Sequence, residues 1–102
     1  MSILTENLIV NKAIIKTAGI NEAIIYSELR AMSDELRRHG KLINDEWFCY
    51  LASDFEKNTT IKPKTLRRTL EKLKELNLIE IEIKGLPAKR HFKLNPLEKM
   101  VQ

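Results

Sequence analysis

The 102-residue sequence has few of the residues that build metal sites, disulfides and phosphate-binding loops. Its single cysteine, Cys49, cannot form a disulfide within the chain, and its two histidines, His39 and His91, lie far apart in the sequence. One cysteine and two distant histidines cannot complete a tetrahedral zinc site. The three glycines are not closely spaced, which excludes a glycine-rich loop for nucleotide phosphates. We therefore expect no metal, no cofactor and no small-molecule substrate.

Long apolar segments and catalytic constellations are also missing. The longest apolar runs are only a few residues, far short of the roughly 20 that span a bilayer. Residues 1–6 lack the basic start and the long apolar stretch of a secretory signal. The acidic neighbours Asp45 with Glu46, and Asp54 with Glu56, are explained by local capping and solvation. These absences predict a cytoplasmic protein that is not an enzyme and does not bind a membrane.

Charge is plentiful, but it is unevenly distributed along the chain. The formal net charge is +4. Residues 1–56 hold 6 Lys and Arg against 9 Asp and Glu, a net charge of −3, whereas residues 57–102 hold 12 against 5, a net charge of +7. A basic excess that is confined to one half of a chain points to an anionic partner such as nucleic acid.

Periodic apolar residues predict two N-terminal helices, over about residues 11–18 and 21–38. Asparagines are placed to cap the helix starts, and glycines are placed to supply the left-handed positions that end helices. These capping residues are Asn11, Gly19, Asn21 and Gly40. The expected buried stripe of the second helix is Ala23, Ile24, Ser27, Ala31 and Met32.

The aromatic segment that follows is open to two interpretations. The run that starts at Trp47 is typical of a short strand, whereas apolar residues three and seven positions after Phe48 also favour a helix. We predict a strand over 46–50 and a short helix over about 51–57. The aromatic residues that we expect in the core, rather than stacked on bases, are Trp47, Phe48, Tyr50, Phe55 and Phe92.

A basic amphipathic helix is predicted over residues 63–76. Pro63 suits the first helical position, where a missing N–H group does no harm. One stripe of the helix is apolar and consists of Leu66, Leu70, Leu73 and Leu76. The opposite arc consists of Lys64, Arg67, Arg68, Glu71 and Lys72. In a helix-turn-helix, such N-terminal residues of the second helix reach base edges in the major groove.

A basic β-hairpin is predicted over residues 79–94. Apolar and charged residues alternate over its first strand, with Ile79, Ile81 and Ile83 on the apolar face. Residues 85–88 form the turn. The basic side chains near the tip and on the outer face are Lys84, Lys89, Arg90, His91 and Lys93. Another short helix is predicted to begin over residues 96–102.

The order of these elements predicts an α+β fold, a single winged helix-turn-helix domain over residues 1–102 that is mainly helical and has a small antiparallel hairpin wing. A closer resemblance, to a particular group of winged-helix domains, rests on four segments of the sequence. They are residues 11–25, the strand led by Trp47, the Lys-Thr-Leu-Arg-Arg run at 64–68 and the Leu-rich segment at 73–79. Over residues 8–95 the sequence resembles the N-terminal winged-helix domains of phage and plasmid replication proteins, of the DnaD-like and replisome-organiser kind. It has Lys62 at the helix N-cap, where those domains often have Ser or Thr.

These features predict sequence-specific binding of duplex DNA, in replication initiation or transcriptional regulation of a phage or plasmid-type element. The residues predicted to enter the major groove are Lys64, Arg67 and Arg68, with Lys72 on the same arc. Those predicted to hold phosphates at the helix entrance are Thr60, Lys62 and Thr65. Those predicted on the wing are Lys84, Lys89, Arg90 and Lys93.

Palindromic DNA sites call for two-fold proteins, and the N-terminal helices are apolar, so we expect a homodimer. Two alternatives stay open. The domain could be a protein-interaction module that docks a replisome or repressor partner without contacting DNA. It could also bind single strands, in which case Trp47 and Tyr50 would provide stacking surfaces.

Overall fold

The computed structural model describes residues 7–100, which form four α-helices and a three-stranded antiparallel sheet. The helices are α1 (Lys12–Thr17), α2 (Ile20–Arg38), α3 (Ala52–Thr59) and α4 (Pro63–Glu75). The strands are β1 (Phe48–Cys49), β2 (Ile79–Lys84) and β3 (Lys89–Leu94). The predicted α+β class is confirmed, and the arrangement is compatible with a winged-helix-like domain.

The helix ends of α1 and α2 differ in part from the predicted caps. The Asn11 side chain accepts hydrogen bonds from the backbone N–H groups of Ala13 at 2.8 Å and of Ile14 at 3.2 Å, and so caps α1. Asn21, the predicted cap of α2, lies inside the helix, because Gly19 occupies the N-cap with φ of 126° and ψ of 167°. Gly19 is therefore not in the left-handed helical conformation. Gly40, with φ of 62°, is in the left-handed conformation, and it follows the end of α2.

The buried face of α2 was predicted wrongly in part. Ala23 and Ser27 are buried, but Ile24 and Met32 are half-buried and Ala31 is exposed. The rest of the buried face is formed by Ile25, Tyr26, Leu29 and Ser33. Since α2 packs against α1, α3, α4 and β3, it buries a broad arc of large side chains that the narrow predicted stripe does not describe.

The sheet has the strand order β1-β3-β2. Strands β2 and β3 pair from Ile79 with Leu94 to Lys84 with Lys89. Strand β1 pairs with β3 over only two residues and is shorter than the predicted 46–50. Strand β1 begins only at Phe48, because the backbone of Trp47 pairs with Ile43 in a tight turn instead of with β3.

The ends of the other elements follow local backbone geometry. Helix α3 continues past the predicted 57 to Thr59, and Thr60 ends it in the left-handed conformation with φ of 64°. Asn77, with φ of 61°, likewise follows the end of α4. The predicted C-terminal helix is a short 3-10 turn, Leu97–Lys99, and residues 101–102 of that prediction lie outside the described residues.

The aromatic core fixes the sheet against the helices. Phe48, Phe55 and Phe92 are almost fully buried, and the rings of Phe55 and Phe92 meet edge to face at 5.8 Å. Tyr50 is also buried. Trp47 departs from its predicted core position and is half-buried. It immediately precedes Phe48, so alternation along the strand directs it to the opposite face of the sheet from Phe92.

Candidate nucleic-acid interface

The outer face of α4 is set by the residues that its inner face buries. Leu66, Leu70 and Leu73 are buried in the core together with Thr69, so the opposite arc must face outward. The exposed basic residues on this arc are Lys64, Arg67, Arg68 and Lys72. Lys64 lies three and four positions before Arg67 and Arg68, and Lys72 lies four positions after Arg68, spacings that place side chains next to each other on a helix surface. The structure therefore brings together the four basic residues that were predicted on this helix.

The entrance to α4 is a short turn, residues 60–62, after α3. Thr60 is exposed there, and Thr65, in the first turn of α4, is half-buried. Lys62 occupies the N-cap and makes no side-chain capping hydrogen bond. Instead its Nζ donates to Glu56 Oε2 at 2.8 Å. With Pro63 at the first helical position, the N-terminal end of α4 lacks a capping hydrogen bond from its N-cap side chain.

A groove separates α4 from the β2–β3 hairpin. Its lining residues are Arg67, Leu70, Glu71, Lys74, Ile81, Ile83 and Arg90. Arg67 reaches the groove from the helix, and Arg90 reaches it from the hairpin. Lys89 and Arg90 also line a second depression that the hairpin forms with Tyr50 and the start of α3. Arg67 and Arg90 thus bring cationic side chains of α4 and of the hairpin to the same groove.

Ion pairs divide the predicted basic residues into two groups. Lys62 pairs with Glu56 at 2.8 Å, and Lys84 pairs with Glu82 at 2.8 Å. Lys93 is also paired and is described below. The remaining predicted basic residues form no ion pair within residues 7–100: Lys64, Arg67, Arg68, Lys72, Lys89 and Arg90. These six side chains, which we call the unpaired cations, combine high positive charge with the absence of an internal counterion.

Lys93 differs from the other predicted hairpin residues. Its ammonium lies 3.7 Å from Glu46 Oε1 and 3.6 Å from Glu80 Oε2, and its side chain is only 27% exposed. Residues 90 and 92 of β3 alternate with residue 93, so Lys93 lies on the face of the sheet opposite to Arg90 and Phe92. By the same alternation, Lys89 and its cross-strand partner Lys84 lie on the face of Lys93, so Arg90 is the predicted hairpin cation on the α4 side of the sheet.

Ile83 was expected on the apolar core face, but it is 69% exposed. The core ends at the cross-strand pair of Ile81 and Phe92, and the hairpin continues beyond it. Leu86 in the turn is fully exposed. Neither Ile83 nor Leu86 was predicted from the sequence to have a function. The sequence signal at this position is the apolar Leu-Pro pair in a turn that Lys84 and Lys89 flank.

Two groups within residues 7–100 have shifted pKa values, Tyr50 and Glu35. Burial raises the pKa of Tyr50, and the hydrogen bond that its hydroxyl donates to Glu28 raises it further. Hydrogen bonds from Arg38 and His39 hold the pKa of Glu35 below its usual value at the exposed end of α2. The Tyr50 contact connects the end of β1 to α2, whereas the Glu35 contacts lie one turn apart at the end of α2.

The described part of the chain offers no cluster of three or more His, Cys, Asp or Glu side chains that could hold a metal ion. His39 contacts Glu35 through Nε2 at 3.0 Å, and His91 Nδ1 lies 3.1 Å from the carbonyl of Lys89. Both histidines thus have local partners. Within residues 7–100, no helix has the length and apolar character needed to cross a membrane.

Two solved structures resemble this fold closely. One is described as "N-Terminal domain of DNA binding protein", with a TM-score of 0.72, 14% sequence identity, and coverage of 94% of this chain and 82% of that chain. The other is described as "Structure of Rep-DNA complex", with a TM-score of 0.71, 14% identity and the same coverage of both chains. The likeness establishes the fold. No protein-family model matches the sequence, and no curated protein matches it significantly.

Proposed function

We propose that this domain binds duplex DNA through α4 and the β2–β3 hairpin, which act as the recognition helix and the wing of a winged helix-turn-helix. The observation that carries the proposal is the set of unpaired cations on two different elements, of which Arg67 of α4 and Arg90 of the hairpin line the groove between them. Five of the six are exposed and Arg90 is half-buried. Cations without internal counterions suit a polyanion, because phosphate contacts supply most of the non-specific affinity for DNA. The fold it shares with a protein described in complex with DNA adds support.

Within this proposal, the N-terminal half of α4 enters the major groove. Lys64, Arg67 and Arg68 reach base edges, and an arginine can contact guanine through two hydrogen bonds. Thr60 and Thr65 hold phosphates at the helix entrance, where the uncapped N-terminus also favours an anion. Lys62 joins them by exchanging Glu56 for a phosphate, and exposed ion pairs of this kind are weak. Lys72 contacts the backbone further along α4.

The hairpin contributes a second group of contacts. Arg90 faces α4 across the groove, and Lys89 lies at the end of the hairpin. Lys84 pairs with Glu82 on the exposed surface, so a phosphate can replace that carboxylate at little cost. We leave Lys93 out of the contact set because two carboxylates already hold its ammonium.

We further propose that the binding is sequence-specific and serves replication initiation on a phage or plasmid-type element, with transcriptional regulation as the alternative. The likeness to a structure described as a Rep-DNA complex favours replication. In this account the domain binds as a homodimer in the cytoplasm and has no catalytic activity, and a replisome protein is a possible further partner.

The proposal is tested by comparing two double variants that remove the same charge. Arg67→Ala with Arg68→Ala alters the outer face of α4, whereas Arg37→Ala with Arg38→Ala alters exposed arginines at the end of α2. Binding is measured by fluorescence anisotropy with a labelled duplex that wild-type protein has selected from a random pool. We expect the first variant to lose at least tenfold in affinity, since each good base contact is worth about 1–3 kcal/mol. The second variant should bind like wild type.

Equal loss in both variants would contradict the proposed surface, and no binding of wild type at low salt would contradict DNA binding itself. Competition with unlabelled single strands tests the nature of the nucleic acid. Aromatic stacking is the usual basis of single-strand binding, and here Tyr50 is buried and Trp47 is half-buried. We therefore expect duplex DNA to be preferred, and a clear preference for single strands would argue against the proposal.

A further inference from the structure

The tip of the β2–β3 hairpin lies beyond the part of the hairpin that packs in the core. The last cross-strand pair that is anchored in the core joins Ile81 to the fully buried Phe92. Three further residue steps separate this pair from the pair of Lys84 and Lys89, which corresponds to about 10 Å at the usual rise per strand residue. The turn that contains Leu86 lies beyond that point.

The tip combines an exposed apolar side chain with positive charge. Leu86 is fully exposed, and residues 84–90, Lys-Gly-Leu-Pro-Ala-Lys-Arg, include three cations and no acidic residue. Lys84 and Lys89 lie directly opposite each other just before the turn. An apolar tip between cations is complementary to a partner with an apolar interior and an anionic rim. Stacked bases between two phosphate chains have this chemistry.

We propose that Leu86 inserts between adjacent base pairs from the minor groove and kinks the duplex, while Lys84 and Lys89 hold the flanking phosphates. The inference rests on the proposed binding of duplex DNA. Leucine and proline are among the side chains that act as such wedges, and inserting them partly unstacks the bases and bends the DNA. Leu86 would be a residue that determines specificity without hydrogen bonding to any base.

The wedge also predicts which sequences are preferred. Pyrimidine–purine steps are the most easily unstacked and kinked, so the deformation is cheapest there. Duplexes selected from a random pool by wild-type protein should carry such a step at a fixed distance from the bases that α4 contacts. Duplexes selected by Leu86→Ala should keep the α4 contacts and lose the preference at that step.

The experiment compares wild type with Leu86→Ala on a duplex selected by wild type. Three quantities are measured: affinity, bending from energy transfer between dyes at the two DNA ends, and the fluorescence of 2-aminopurine placed at the proposed step. Ile9→Ala is the matched control. Ile9 is also highly exposed, and it lines a depression with Tyr26, Arg30 and Leu97 that shares no residue with the hairpin.

We expect Leu86→Ala to bind DNA about tenfold more weakly, because alanine buries less apolar area between the bases than leucine does. We also expect loss of the bend, loss of the 2-aminopurine signal and an unchanged dependence of affinity on salt. Leu86→Met should retain the bend, and Ile9→Ala should behave like wild type. Circular dichroism checks that each variant is folded.

Two results would overturn the inference while leaving DNA binding intact. The first is wild-type bending and affinity in Leu86→Ala. The second is unchanged bending together with loss of self-association in sedimentation, which would assign the tip to a contact with a second copy of the chain. Failure of wild type to bind any selected duplex would instead refute the proposed function on which the inference rests.

Discussion

The Asn95 side chain joins the ends of α4 and β3, and replacing it by alanine is expected to destabilise the domain. Asn95 is only 7% exposed. Its Nδ2 donates to the carbonyl of Asn77 at 3.1 Å and to Asn77 Oδ1 at 3.3 Å. Its backbone N–H donates to the carbonyl of Leu78 at 3.0 Å, and its own carbonyl accepts from the Tyr26 hydroxyl at 3.1 Å. The residue thus connects α2, α4 and the hairpin that carries the unpaired cations.

Asn95→Ala removes the two side-chain hydrogen bonds and keeps the backbone contacts. At about 1 kcal/mol for each bond, the expected loss of unfolding free energy is about 2 kcal/mol. For a domain of this size, that loss corresponds to a fall in Tm of about 10 °C. Urea unfolding followed by circular dichroism measures the difference. Asn21→Ala is the control, because the half-buried Asn21 side chain in α2 caps no helix.

A change below about 0.5 kcal/mol for Asn95→Ala would refute the reasoning, since ordinary surface substitutions fall within that range. So would an equal loss in Asn21→Ala. The expected pattern is a clear loss at Asn95 and little change at Asn21.

Gly19→Ala should lower the unfolding free energy by about 1–2 kcal/mol, because φ of 126° strains any residue with a Cβ and that atom would lie 2.6 Å from Glu22 Oε1; wild-type stability in urea would contradict this. Arg90→Ala should make the slope of log K against log salt shallower by about 0.9 on duplex DNA. Lys93→Ala should leave the slope unchanged, because its ammonium is held internally, and an equal effect would refute the division into paired and unpaired cations. Folding raises the pKa of Tyr50, so its contribution to stability is full below the unfolded value of about 10 and is lost as pH rises above it. Tyr50→Phe should therefore lose less stability than wild type between neutral pH and pH of about 11, measured by urea unfolding.

Elements with strong local patterns were predicted well from the sequence. Helix α4 has an unbroken apolar stripe and a proline at its first position, and both features are read from neighbouring residues. The strands β2 and β3 alternate regularly around a turn. The outward placement of Lys64, Arg67 and Arg68 follows directly from the helical period.

Features that depend on distant residues could not be predicted in the same way. The buried arc of α2 is set by three other helices and a strand that pack around it. The internal pairing of Lys93 requires Glu46 and Glu80, which become its neighbours only through the sheet. The exposure of Ile83 depends on where the core ends beneath the hairpin. Sequence periodicity carries no information on which distant residues become neighbours or on where the core ends.

The salt dependence of wild-type binding to a selected duplex tests the central claim most directly. Six unpaired cations on α4 and the hairpin predict a slope of log K against log salt of about −5 if each releases one counterion, and a slope of about −3 if Lys64, Arg67 and Arg68 contact bases instead of phosphates. Tight binding at low salt with a slope in this range is the predicted result. No binding to duplex DNA at low salt, or binding with a slope near zero, would contradict the account.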